Sequence, residues 1–268
     1  PKTVFRSALN YQKRLDYTRS ITNASFGYNW KESQAKLHIL NPLEVSYVQV
    51  DLKPDFEQKL IVRNDQFLLN SYSDHLVFGS SYSFIFNNQD IKKNKNFSYF
   101  RINCDAAGNV LRVTNRFLNP PDSAEHSYEV FGIKFSQFVR LDLDYRFYKA
   151  LKENNRLVFR VAAGVGKPLH NNRTLPFEKS FFSGGPNGVR AWKARKLGPG
   201  GYVYPGSENE KNDQIGDAMF ESNIEYRFNI IKILNGTFFV DAGNMWLRKP
   251  YTAYPGGDFK IKTFLSEI

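Results

Sequence analysis

Between positions 139 and 147, Val139, Leu141, Leu143, Tyr145 and Phe147 are apolar, and the intervening Arg140, Asp142, Asp144 and Arg146 are all charged. A period of two with opposite chemistry on its two sides predicts a β-strand with one apolar face and one ionic face. The same alternation runs through 218–228 and 156–166, and around Phe26, Tyr28 and Trp30. Further strands are expected at Thr3–Tyr11, Leu37–Val50, Leu76–Phe86, Phe97–Ala106, Asn235–Trp246 and Lys260–Ile268. This makes about ten strands, most of roughly nine to thirteen residues, where soluble strands run five or six and a tilted membrane strand needs about 9–11.

The connections alternate in length. Those at 31–36, 89–96, 150–155 and 229–234 are short, whereas those at 51–74, 107–137, 167–216 and 247–259 are mostly long. Short turns at one end and long loops at the other predict an all-β, antiparallel up-and-down transmembrane barrel, read as a single domain. In the first long connection Asp55 could cap a helix whose Phe56, Leu60 and Phe67 share a face. Tyr28, Trp30, Tyr148 and Trp246 stand near strand ends, where such a barrel carries its aromatic girdles. A soluble β-sandwich, with aromatics capping its core, is the competing architecture.

Composition narrows the choice. The formal charge is +11, and 16% of the residues are aromatic. The absence of a long apolar run excludes a spanning helix but not a barrel, whose alternating strands average to modest hydropathy. A basic chain could serve nucleic acid, but its arginines are dispersed over strand faces and loops rather than gathered on one aromatic platform. Cys104 is the single cysteine, so no intramolecular disulfide is available; its alternation with Phe100 and Ile102 gives it apolar surroundings. His38, His75, His126 and His170 lack metal-ligand spacing and read as surface or loop residues. Gly164-Val165-Gly166-Lys167-Pro168 lacks the first glycine of a phosphate loop and carries Pro where Ser or Thr would hold magnesium. Asp142 and Asp144, flanked by arginines, read as a charge ladder rather than an acid–base pair. No enzyme, metal or cofactor is indicated.

The most specific stretch lies in the longest connection: Gly184, Gly185, Pro186, Asn187, Gly188, Val189, Arg190, Ala191 and Trp192. Its glycines permit tight backbone paths that deliver one arginine to a defined place. Downstream come Asn223-Ile224-Glu225-Tyr226-Arg227-Phe228 and Phe239-Val240-Asp241-Ala242-Gly243-Asn244-Met245-Trp246. These three motifs, in this order, resemble those of the outer-membrane protein assembly superfamily, the BamA/TamA-like or bacterial surface antigen barrels. Ala191-Trp192 followed by Arg195 and Leu197-Gly198-Pro199-Gly200 is most similar to the TamA-like branch with its TamL lipoprotein relatives. The resemblance implies a barrel of sixteen strands preceded by POTRA domains. Residues 1–268 would then be part of the C-terminal barrel domain, from about the fifth strand into the fourteenth, with the flanking strands outside the chain.

Alternation puts Glu221, Glu225 and Arg227 on one face, opposite Phe220, Ile224, Tyr226 and Phe228; Asp241 points away from Val240 and Ala242. The polar face should line the lumen, and planar pairing with two carboxylates suits arginine. The resemblance implies that Arg190 reaches the inner wall at Glu225 and Asp241; the alternative is an ordinary solvated loop arginine. Arg140, Asp142, Asp144 and Arg146 should form a lumenal ladder with Arg156 and Arg160. The implied setting is the bacterial outer membrane. Implied partners are its lipid, client outer-membrane proteins and periplasmic or lipoprotein subunits, with no nucleic acid. The implied task is insertion or export of other outer-membrane or surface proteins without covalent chemistry. A passive porin and a two-partner secretion transporter are the alternatives.

Overall fold

The structure, a computed structural model, describes residues 1–90, 95–118, 128–152, 155–206, 212–231 and 233–268, the side chains of 115–118 and 152 excepted. His126 lies outside them. The strands are β1 (Lys2–Lys13), β2 (Tyr17–Lys31), β3 (Lys36–Leu52), β4 (His75–Asn87), β5 (Phe97–Ala107), β6 (Glu129–Val130), β7 (Ile133–Ser136), β8 (Phe138–Lys152), β9 (Asn155–Pro168), β10 (Ala218–Ile231) and β11 (Leu234–Trp246). They form one sheet whose main path is β1-β2-β3-β4-β5-β8-β9-β10-β11, antiparallel throughout. Among the described residues β1 and β11 each pair on one side only, so the sheet is an open, incomplete barrel. The short β6 and β7 form a hairpin inside the connection between β5 and β8, and β7 lies parallel to the first residues of β4.

Strand lengths exceed the expectation, reaching 17 residues in β3 and 15 in β2 and β8. The alternation has the expected sense. Ile224, Tyr226, Val161 and Tyr145 are exposed on one face, and at the β11 edge Phe238 and Val240 are about 70% exposed. A water-facing sheet would not present such a continuous apolar surface, whereas lipid requires one. No helix among the described residues is long and apolar enough to cross a membrane.

The larger packed core sits in the long-loop layer, and a smaller one joins Val77, Ala107 and Phe138 of the sheet to Leu175. Helices α1 (Pro54–Val62) and α2 (Gln66–Ser71) contribute Phe56, Leu60, Phe67 and Leu68, which pack with Tyr17, Tyr72, Phe177, Tyr202, Leu247 and Tyr254. The single helix expected here is two. Lys53, not Asp55, is the N-cap of α1 and makes no side-chain bond; Pro54 opens the first turn, where its missing N–H costs nothing. Asp65 caps α2 by accepting from Leu68 N, so Phe67 belongs to the second helix. A third helix, α3 (Asn109–Leu118), follows β5.

Two further expectations fail at the far end of the chain. Residues 260–268 form turns and the short helix α4 (Phe264–Glu267), not a strand. The segment instead packs Phe264 against Phe220, Trp246 and Phe259. Trp246 is therefore buried, its Nε1–H donating to Glu267 Oε2 at 2.6 Å, and is not a girdle residue. Two histidines also depart from a surface role. His38 stacks on Trp30 with centroids 4.9 Å apart, and His75 is buried at the start of β4.

Candidate functional site

The connection between β9 and β10 turns back over the inner face of the sheet. Gly184 and Gly185 both adopt φ of +91°, a left-handed conformation that a Cβ would strain. A Cβ on Gly184 would also stand 2.6 Å from the carbonyl oxygen of Lys193. The turn closes through Gly185 N–H to Trp192 O at 2.8 Å and Trp192 N–H to Val189 O at 3.2 Å. Val189 is buried, anchoring the apex, while Trp192 stays exposed. Gly188 lies against the wall so closely that an added Cβ would meet Glu221 Oε1 at 2.4 Å.

Arg190 is thereby carried to two carboxylates on adjacent strands. Its Nε and Nη2 donate to Asp241 Oδ2 and Oδ1 at 2.7 and 2.6 Å, and Nη1 donates to Glu225 Oε1 at 2.7 Å. Its main-chain N–H adds a bond to Asp241 Oδ2 at 3.0 Å. The guanidinium lies 3.6 Å from the centroid of Phe239, a cation–π contact on the third side. Asp241 stands five residues below Trp246, so the arginine acts roughly 17 Å down the strand at about 3.4 Å per residue.

Register explains why the wall is ready for it. Asp241 of β11 faces Asn223 of β10, Asn223 faces Arg160 of β9, and Arg160 faces Arg146 of β8. One polar row thus crosses four strands. Asn223 Nδ2 donates to Asp241 Oδ1 at 2.8 Å and to Gly188 O at 3.0 Å. Arg160 donates to Asn187 O, Asn223, Glu221 Oε2 and Asp144 Oδ2 at 2.9–3.2 Å. Arg146 binds Asp144 with both a Nε and an Nη donor, and Arg227 holds the second oxygen of Glu225. Ser183 Oγ–H donates to Glu221 Oε1 at 2.8 Å. The grip is mutual: wall donors take loop carbonyls, and loop donors take wall carboxylates. Arg146, Arg160, Arg190 and Arg227 face Asp144, Glu221, Glu225 and Asp241, four charges against four.

Every residue of the expected ladder lies on this inner face. Arg140 pairs with Asp142 at 2.5 Å and lies 4.2 Å over the ring of Phe181 from the loop. Arg156 instead stands over Phe97. Nearer the loop end the same connection is tied again. Both ring nitrogens of His75 face acceptors, Glu178 Oε1 at 2.5 Å and Ser73 O at 2.6 Å, so both must carry protons to donate. Burial alone pushes the Glu178 carboxyl up, but the His75 bond and charge hold it below the ordinary range. Lys179 reaches Glu44 and Asp105 on the wall at 3.8 and 3.5 Å.

Sequence reasoning missed Arg160 as the hub, Asn223 as the bridge and Phe239 as the aromatic floor. Asn223 and Phe239 both stood inside the motifs already singled out, on the same alternating face as Glu225 and Asp241. Arg160 was expected in the ladder, but its place at the hub follows from register, which the sequence does not supply.

Comparison with known proteins gives a match to the sequence model of the Omp85 superfamily domain over residues 2–261. Among solved structures, BamA from Haemophilus ducreyi lacking POTRA domains 1–3 is similar over 91% of this chain, with a TM-score of 0.57 and 14% identity. At that identity the likeness is one of fold. The chain spans 45% of that structure's length.

Proposed function

Because this chain belongs to the Omp85 superfamily, we propose that it is part of an outer-membrane β-barrel that helps insert or export other outer-membrane or surface proteins. Arg190 serves as the fixed strut of its lumen. The observation carrying this reading is the arginine held at once by Asp241 and Glu225 on neighbouring strands. A loop fastened to its wall through Arg190, Glu225 and Asp241 gives one side of the barrel a fixed lumen. An assembly barrel needs one, because it must keep its lumen and half its wall ordered while another part accepts a client. In this reading the client enters by backbone pairing at strand edges, which needs no covalent step. Within the superfamily, the Ala191-Trp192 version of the loop with Leu197-Gly198-Pro199-Gly200 supports reading the chain as TamA-like.

The test is client insertion into vesicles carrying the full-length protein. Arg190→Ala should slow insertion of a folded-barrel client while leaving strand content unchanged. Channel conductance that persists in both forms, with no acceleration of client insertion by either, would instead establish the porin alternative.

A further inference from the structure

Outside the arginine site, one cavity of about 640 Å³ opens in the long-loop layer. Three chain segments bring basic side chains to it: Lys167 from the end of β9, His170 and Arg173 just beyond, and Arg248 and Lys249 just after β11. Leu169 and Tyr251 supply apolar wall. Four permanent cations around one space repel one another, and such a cluster is stable only in water or with an anion among them. The inner face shows how this chain treats arginines elsewhere: Arg140, Arg146, Arg160 and Arg190 each have a carboxylate. Among the described residues, no carboxylate forms an ion pair with Lys167, Arg173, Arg248 or Lys249. Asp217 lies near but is buried, with one oxygen taken by the main-chain N–H of Arg248 at 2.9 Å.

Position adds a second constraint. Lys167 is exposed and stands opposite Val139, on the parity of Val161 and Val165 that faces outward from the sheet. The cavity therefore meets the upper rim of the apolar outer surface, at the level where a bilayer's headgroups would lie. Its volume is too large for a single small anion and falls in the range of ordinary ligand sites.

We propose that this cavity is a binding site for a multiply phosphorylated anion, clamped between Arg173 on one side and Arg248 and Lys249 on the other. Two sources share that chemistry, a phosphorylated glycolipid headgroup and a soluble polyphosphate. The site is independent of the arginine loop, so its failure would leave the proposed function untouched.

The experiment uses the full-length protein, with pyrophosphate titrated in detergent and with flotation on zwitterionic vesicles with or without a diphosphorylated glycolipid. Arg173→Ser/Arg248→Ser/Lys249→Ser is compared with Lys2→Ser/Lys13→Ser/Arg14→Ser, which removes equal charge from exposed residues of β1 and its turn. The pocket variant should lose at least about tenfold in affinity, and the control should stay within about twofold. Glycolipid-dependent flotation lost in the pocket variant alone assigns a lipid headgroup; pyrophosphate binding lost alone, without glycolipid preference, assigns a soluble phosphate. Equal loss in the control, or no binding of either probe by the unaltered protein, overturns the site. If the triple variant does not fold, the exposed pair Arg173→Ser/Lys249→Ser is read by the same criteria.

Discussion

Arg190→Ala is the sharpest perturbation of the lumenal site. It deletes three charge-assisted side-chain bonds of 2.6–2.7 Å and the contact with Phe239. Neither carboxylate is left bare: Asp241 keeps the main-chain N–H of residue 190 and Asn223, and Glu225 keeps Arg227. The guanidinium is also 23% exposed, against 5% for Asp241 and 14% for Glu225. The cost should therefore fall below the roughly 3–5 kcal/mol of stripping a fully buried pair, at about 2–4 kcal/mol. At 1.4 kcal/mol per decade, loop opening would become about 30- to 800-fold more frequent.

Native-state hydrogen exchange reads this directly, since the amide of residue 190 itself donates to Asp241. In Arg190→Ala the amides of 188–192 should exchange faster by that factor, while those of β10 and β11 hold. Arg190→Lys should recover less than half the protection, because an ammonium cannot span both oxygens of Asp241 and reach Glu225 as well. Of the bonds from residue 190, Asp241→Asn disturbs two from the side chain and one from the main chain, Glu225→Gln a single one, so the first should exceed the second. The coupling energy in an Arg190→Ala/Asp241→Asn cycle should be largest of all. Exchange within about threefold of the unaltered protein in Arg190→Ala would mean that other contacts hold the loop, and the strut would lose its physical basis.

Two further outcomes are expected. Gly188→Ala would drive a methyl into Glu221, which cannot swing aside while Ser183 and Arg160 hold it, so protease sensitivity of the loop should rise by about 1–3 kcal/mol equivalent. Burial raises Asp217 at the loop junction to about 6, against the partial pull of the Arg248 amide and the Arg248 and Lys249 charges. Its native pKa therefore lies above the unfolded value, so its contribution is complete below about pH 4 and lost as pH rises through 6; junction amides should be better protected at pH 5 than at pH 7.5, and Asp217→Asn should flatten the profile.

Much of this architecture was legible because a membrane barrel writes its two environments into alternate residues. Arg140 to Arg146 announce an ionic face with no structure in hand, and the glycines around Arg190 announce a loop bent for delivery. What escaped depends on contacts between distant segments. Lys260–Ile268 alternates passably, yet a strand needs a partner's backbone, and here aromatic packing on Phe220 and Trp246 outweighs the local pattern. Trp246 stands at a strand end like any girdle residue; only the fold of the following loop decides that protein rather than lipid covers it. Asp55 is a plausible cap by composition, but Pro54 already opens α1, and the second helix has its own cap in Asp65. His75 is buried because Glu178, 103 residues away, supplies the acceptor.

The placement of apolar residues constrains how the wall can move. Their burial in the sheet is spent outward on lipid, so the loop layer must build its own core from α1, α2 and the aromatic residues around Tyr72 and Tyr254. Around Arg190, charge pairs and the bonds from Asn223 and Arg160 to loop carbonyls fix the loop. Arg160 ties β8 to β10 through Asp144 and Glu221, and Arg190 ties β10 to β11 through Glu225 and Asp241. Separating any two of β8, β9, β10 and β11 would break a member of this network and expose its partners unpaired, a cost no thermal fluctuation meets often. Those four strands and the arginine loop should therefore move as one body. On the β1–β2 side, by contrast, the contacts beside the backbone ladder include one neutral-acceptor bond, Arg19 Nη2 to Gln12 Oε1 at 2.8 Å, and the ring contact of Phe5 with Phe26.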